Sequence, residues 1–165
     1  MTRILILTRH AKSSWDSPGL GDHDRPLNKR GRKSAPAIAA WLRHHDWLPD
    51  EVLSSTSTRT RETWDRMGLQ AEKVSFHSAL YHADSKVMLR ELSGATEPAV
   101  LMMGHNPGIA DFANRLVRQP PNHTRFFDYP TCATTVMSFE INSWAEVRWQ
   151  TGTVLGFTIP RELIE

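Results

Sequence analysis

The stretch Ala99-Val100-Leu101-Met102-Met103-Gly104-His105-Asn106-Pro107-Gly108-Ile109-Ala110-Asp111-Phe112-Ala113-Asn114-Arg115-Leu116 changes its period near the middle. Residues 99–103 form a continuous apolar run of strand length, as expected of a strand covered on both faces. Beyond it, Ile109, Phe112, Ala113 and Leu116 recur at helical spacing, with Asn106 suited to the N-cap and Pro107 to the first helical position. His105 therefore stands where a buried strand hands over to a helix. Such junctions are the repeating joint of α/β proteins, whose ligands bind at the carboxyl ends of the strands.

Working toward the N-terminus, the same alternation repeats. Residues 4–8 read as a short buried strand that ends on Arg9-His10. Residues 16–33 are rich in Gly, Pro, Asp and charge and read as a loop. A helix follows, with Ala35, Ile38, Ala39 and Leu42 on one face and Pro36 expected in its first turn or at a kink. Residues 51–54 form a second strand. Ser55 or Ser57 can cap the next helix, whose inner stripe is Thr60, Thr63, Trp64 and Met67 and which Gly68 ends. A strand at 74–76 and a helix over 85–92, stopped by Gly94, complete this half.

Toward the C-terminus, residues 118–131 form a long Pro-rich loop, a length that suggests a lid. Thr135, Met137, Phe139 and Ile141 then alternate with polar residues, as do Ala145, Val147 and Trp149 after Asn142-Ser143. That pattern predicts an antiparallel hairpin. The expected fold is α/β: a three-layer α/β/α sandwich with a mostly parallel sheet and an antiparallel C-terminal hairpin, in one domain spanning 1–165.

Composition sets bounds. With 39% hydrophobic and 23% charged residues, the 165-residue chain reads as globular, and six Trp are expected to pack in the core and at its rim. One cysteine, Cys132, leaves no internal disulfide and fits a reducing compartment. No stretch approaches the ~20 apolar residues that span a bilayer, and the first apolar run is too short for a signal peptide, so the cytoplasm is the default and no membrane partner is expected. A net charge of +2 is too mild to argue for nucleic acid. The basic cluster Asn28-Lys29-Arg30-Gly31-Arg32-Lys33 reads as a solvated turn, with docking of an acidic or phosphorylated partner as the alternative.

Three polar constellations fall at the carboxyl edge of the sheet: Arg9-His10, Arg59 and His105. Two guanidinium groups and two imidazoles, with no carboxylate in any of the three motifs, suit a dianionic oxyanion, since the Arg fork matches phosphate oxygens bidentately. Other phosphate chemistries are disfavoured by reading. There is no Gly-x-x-x-x-Gly-Lys loop, the residue six past Cys132 is Ser138 rather than Arg, and no His-Glu-x-x-His or paired-cysteine metal site occurs. Asp22-His23-Asp24 could hold a metal but reads better as a solvated loop, so no metal and no cofactor is expected. Histidine as nucleophile remains: a neutral imidazole attacks phosphorus without a base. His10 would have to attack neutral, whereas His105 would serve best protonated, so their environments should separate their pKa values.

These residues resemble the histidine phosphatase superfamily, and within it the SixA-type phosphohistidine phosphatases. Leu7-Thr8-Arg9-His10-Ala11-Lys12 is similar to the family's Arg-His-Gly motif with Ala in third place. Asp24-Arg25-Pro26-Leu27 with Gly31 resembles its next block, Ser55, Arg59 and Thr63 fit Ser-x-x-x-Arg-x-x-x-Thr, and Gly104-His105-Asn106-Pro107 matches the second-histidine block. The resemblance implies a phosphoglycerate mutase-like fold, a phospho-His10 intermediate, and a phosphate pocket of Arg9, Arg59 and His105, with Arg25, at the entrance, and Asn106 also binding phosphate or substrate. Many members carry a general acid, in some branches directly after the second histidine, where this chain has Asn106.

That absence bears on substrate. An alkoxide leaving group needs an acid's help, whereas phosphorylated histidine leaves as neutral imidazole after simple protonation. The expected substrate is a phosphorylated protein, a phosphorelay or phosphocarrier histidine. The alternatives are a small-molecule phosphomonoesterase of the same superfamily, which would need a carboxylate from Asp22, Asp24, Asp84 or Glu91, or an imidazole from His82, and a non-catalytic phosphate-binding adaptor.

Overall fold

The computed structural model describes residues 1–164. The strands are β1 (Thr2–Arg9), β2 (Glu51–Ser55), β3 (Lys73–His77), β4 (Ala99–Gly104), β5 (Thr134–Glu140) and β6 (Thr153–Thr158). The helices are α1 (Lys29–His44), α2 (Thr58–Met67), α3 (Ser85–Ser93) and α4 (Gly108–Leu116). The strands form one sheet in the order β3-β2-β4-β1-β5-β6. The first four neighbours pair in parallel, and β5 runs antiparallel to both β1 and β6.

Alternation along the central strands explains the three layers. Leu5 and Leu7 of β1, with Val100 and Met102 of β4, face a core shared with Met88, Leu92, Ile109 and Phe112 of α3 and α4. Ile6, Leu101 and Met103 point the other way, onto Ile38, Leu42, Trp64 and Met67 of α1 and α2. Both sheet faces are covered, so these strands read as unbroken apolar runs.

The hairpin expectation needs correction. The second strand is not residues 145–149 but β6. Residues Trp144–Glu146 form a 3-10 turn whose Trp144 is buried, its Nε1–H donating to the Glu97 carbonyl at 2.7 Å. Of the residues that alternate there, Val147 is buried and Trp149 packs partly against the core, while Ala145 is exposed. The edge strand β6 has an irregular burial pattern and a register shift opposite Val136/Met137, which weakens its period-two signal.

The start of α1 also moves. Asn28 caps it, Oδ1 accepting from Gly31 N–H at 2.9 Å, so the basic cluster forms the first turns of the helix rather than a turn, and Pro36 lies well inside it. The cap decides the start, ahead of the apolar stripe. At α4, Pro107 occupies the cap position, and Asn106 Oδ1 instead accepts from Ala110 N–H at 3.2 Å.

Candidate active site

Parallel pairing of β1 with β4 sets Arg9 opposite Gly104, so His10 and His105 emerge side by side. His10 N–H donates to the Gly104 carbonyl at 3.2 Å, and the two imidazole rings lie 5.1 Å apart. Strand β2, the other neighbour of β4, ends at Ser55 on the same edge. Ser57 then caps α2, whose second residue is Arg59. Arg9, His10, Arg59 and His105 thus line one cavity of about 230 Å³, together with Lys12, Arg25 and Asn106.

His10 has an unambiguous tautomer. Its Nδ1 lies 2.8 Å from the Ala11 carbonyl oxygen, which can only accept, so Nδ1 carries the proton and Nε2 presents the lone pair. Burial pushes the His10 pKa well below 6.5; the Ala11 bond opposes this, while His105, Arg9 and Arg59 add to the depression. The loop is braced from α2: Ala11 N–H donates to Thr63 Oγ1 at 3.0 Å, and that hydroxyl donates to the Arg59 carbonyl at 2.7 Å.

His105 is also held neutral, its pKa pushed down to about 3 by burial and then by Arg59, against an opposing pull from Asp22. The expectation that the two imidazoles titrate apart, with His105 protonated, is therefore corrected. Both share one desolvated cationic pocket, and the nearby carboxylate is spent on arginines. The Ser55 hydroxyl lies 2.9 Å from His105 Nε2 and accepts from Ser57 N–H. The Ser55 hydroxyl can donate its own proton to Nε2, and in that tautomer Nδ1 carries the N–H. Among the described residues, Nδ1 has no partner.

Arg9 Nη1 donates to the Tyr129 carbonyl at 3.1 Å, and burial followed by Arg59 lowers its pKa. Tyr129 and Phe126 are fully buried, so the 118–131 segment is anchored in the core at these points. Asn106 lines the cavity, but its Nδ2 donates to the carbonyls of Asp128 and Tyr129 at 2.8 and 3.1 Å. Its amide braces the site. Arg25 lies at the mouth, its guanidinium 3.4 Å from the centre of the Trp15 ring, which is 77% exposed; this tryptophan is not a packing residue.

Asp22, one of the carboxylates weighed as able to reach the pocket, does reach two of its arginines. Read as part of a solvated loop, its carboxylate accepts from Arg25 Nη1 at 2.9 Å, from Arg59 Nη2 at 3.1 Å and from the Tyr81 hydroxyl. The Tyr81 bond, then Arg25 and Arg59, hold it well below the usual carboxylate range. Its place three residues before Arg25 was the available signal. The trio does not converge as metal ligands, since His23 Nε2 pairs with Thr56 Oγ1 at 2.9 Å. Asp84 caps α3 and lines, with His82 and Tyr81, an adjoining cavity of about 420 Å³ whose wall also includes His105 and Asn106, while Glu91 lies 3.6 Å from His77.

Residues 5–81 match the family model of the histidine phosphatase superfamily, branch 1, a span that includes Arg9, His10, Arg25 and Arg59. An uncharacterized chloroplastic protein of Arabidopsis thaliana is 35% identical over 160 residues, covering 88% of this chain and 71% of that protein. An uncharacterized protein of Mycobacterium tuberculosis is 31% identical over 160 residues, covering 93% and 99%. The chain belongs to the histidine phosphatase superfamily. Among solved structures, the Nakamurella multipartitia protein assigned as phosphohistidine phosphatase SixA superposes with a TM-score of 0.83 at 29% identity, over 97% of both chains. This histidine phosphatase is thus of the SixA type, and it is a phosphatase. Among the described residues, no helix is long and apolar enough to cross a membrane.

Proposed function

We propose that this histidine phosphatase, as one domain over residues 1–165, removes the phosphoryl group from a protein histidine, of a phosphorelay or phosphocarrier, through a phospho-His10 intermediate. His10 Nε2 attacks phosphorus in line; an N–P bond forms and the bond to the substrate imidazole breaks. Protonated on its far nitrogen, that imidazole leaves neutral. Water then cleaves the N–P bond, releasing inorganic phosphate and regenerating His10. Arg9, Arg59 and the His105 N–H take the charge that spreads over the equatorial oxygens.

The observation that carries the substrate reading is the state of Asp22. Its carboxylate is bound to two of the cavity's arginines, and Tyr81, Arg25 and Arg59 hold it ionised, while Asp84 and Asp111 line the adjoining hollow with His105. An ionised carboxylate cannot protonate an alkoxide, so a leaving group that departs neutral is favoured. The same proximity of Asp22 to Arg59 supports the second reading, a small-molecule phosphomonoesterase, should substrate displace the arginines and raise its pKa. Rates on a phosphohistidine peptide and a sugar phosphate decide between them. The expected result is faster release from the N–P bond, with acid-labile phosphate trapped on His10 and no turnover by His10→Ala. Comparable or faster release from the sugar phosphate rejects the substrate assignment but keeps the mechanism.

A further inference from the structure

The basic cluster at the start of α1 is not absorbed by the reaction above. Arg30 lines a cavity of about 240 Å³ with Lys12, Arg125, Thr131 and Arg161, and no acidic residue lines it. Lys12 and Thr131 also line the His10 cavity, so the two hollows share a wall. Among the described residues, Lys12, Arg30 and Arg161 have no carboxylate within ion-pair distance, while Arg125 pairs with the exposed Asp128 at 2.9 Å.

The placement of these cations runs against local stability. The first turns of α1 carry Lys29, Arg30, Arg32 and Lys33 and no acid, at the end of the helix where the macrodipole disfavours positive charge. Arg32 is spent on the Leu27 carbonyl at 3.1 Å. Arg30 is brought beside Lys12 by Gly31, where a Cβ would stand 2.2 Å from the Lys12 carbonyl oxygen, and by Asn28 N–H, which donates to that same oxygen at 2.9 Å. A close backbone approach thus sets two unpaired cations next to the loop that carries His10.

We propose that Lys12, Arg30, Arg125 and Arg161 form a second anion subsite contiguous with the catalytic cavity, which takes a further anionic group of the same substrate, a carboxylate or a phosphate. This rests on the reading that the His10 cavity holds the scissile phosphoryl group. No histidine lines the second hollow, so it binds without reacting. Three guanidinium groups around a small concavity match the oxygens of one compact anion.

The test uses two matched substrate pairs, with wild type and the Arg30→Gln/Arg161→Gln variant. One pair is phosphohistidine peptides with Asp/Glu or Asn/Gln flanks; the other is a bisphosphate and the corresponding monophosphate. Wild type is expected to prefer the more anionic member by about tenfold in kcat/KM, mostly through KM, with the preference screened by salt. In the variant that ratio falls to about one. A preference confined to the peptides assigns the subsite to acidic side chains, and one confined to the bisphosphate assigns it to a second phosphate. Equal rates within both pairs for wild type, or a preference that survives in the variant, overturn the subsite. Failure of the phosphohistidine reading shows separately, as no turnover of either peptide, and the bisphosphate pair still tests the subsite. Calorimetry with pyrophosphate against orthophosphate gives the same comparison without turnover: tighter pyrophosphate binding by wild type, lost in the variant, is expected.

Discussion

The Asp22 carboxylate lies against the Arg59 guanidinium, Oδ2 3.1 Å from Nη2, while the Asp22 carbonyl takes Nη1 at 2.7 Å. Both arms of an arginine placed to hold a phosphoryl oxygen are thus engaged by one residue of the 22–24 turn. An incoming dianion must displace the carboxylate or share the guanidinium with it, and either way it meets a negative charge at the rim.

Asp22→Asn should therefore tighten inhibition by inorganic phosphate, by about three- to tenfold, the scale of one screened charge repulsion near 4 Å. The Ki for phosphate at constant ionic strength checks this. A Ki that rises instead would show that Asp22 organises Arg25 and Arg59 for the anion rather than competing with it.

The two neutral imidazoles make stability fall in acid. The pKa values of His10 and His105 lie below their unfolded value near 6.5, so the unfolded chain binds more protons between that value and the folded ones. Stability is fully present above pH 6.5 and drains as pH drops, by about 1.4 kcal/mol per pH unit for each histidine. Urea unfolding from pH 7 to 4 should show this slope, and His105→Gln should reduce it by about one proton's worth. The kcat/KM profile should stay flat through pH 6.5, because His10 remains an unprotonated nucleophile there. An acid limb centred at 6.5 would contradict the depression.

The residues that sequence reading grouped share one property: each abuts a strand end or a helix start that local pattern reveals. Arg9-His10 follows an apolar run, His105 follows another, and Arg59 sits just past a recognisable Ser cap. Parallel pairing of β1, β4 and β2 then brings them together without further information. Which of the candidate carboxylates reaches the site was not legible, because the partners of Asp22 are long-range, Arg59 on α2 and Tyr81 beyond β3, and nothing in the 22–24 segment announces them. Strand β6 was illegible for a different reason, since an edge strand with a bulge has no clean alternation. The pKa expectation for His105 failed because it depends on burial and on how Asp22 is spent, neither visible in one dimension.

Asn106 stands where some superfamily branches carry an acid, yet its amide donates to two carbonyls, one of which also receives Arg9. Asn106→Ala should lower stability by about 1–3 kcal/mol and raise KM by loosening Arg9. Asn106→Asp should be worse, since a carboxylate would face the Asp128 and Tyr129 carbonyl oxygens with nothing to donate. Thermal melts in the order wild type, Ala, Asp check the assignment. An Asp variant that equals wild type in stability would show that the brace is not needed.

Gly31→Ala sets two rules against each other. Helix propensity alone favours alanine by about 1 kcal/mol within a helix. The added methyl, however, would stand 2.2 Å from the Lys12 carbonyl oxygen and 3.0 Å from the Lys12 nitrogen, both backbone atoms that cannot swing aside. Either α1 retreats, losing the Asn28 N–H bond to Lys12, or the His10 loop moves. Overpacking of this kind outweighs propensity, so the variant should lose about 2 kcal/mol or more, and kcat/KM should fall with it. Gly94→Ala serves as the control, because its Cβ would meet only the Glu91 carbonyl at 3.6 Å and its φ is −88°. That change should be neutral or stabilising by up to about 1 kcal/mol. Urea midpoints of the two variants give the comparison. If Gly31→Ala proves as stable as Gly94→Ala, the helix does not ride against the catalytic loop, and the juxtaposition of Arg30 with Lys12 fails along with it.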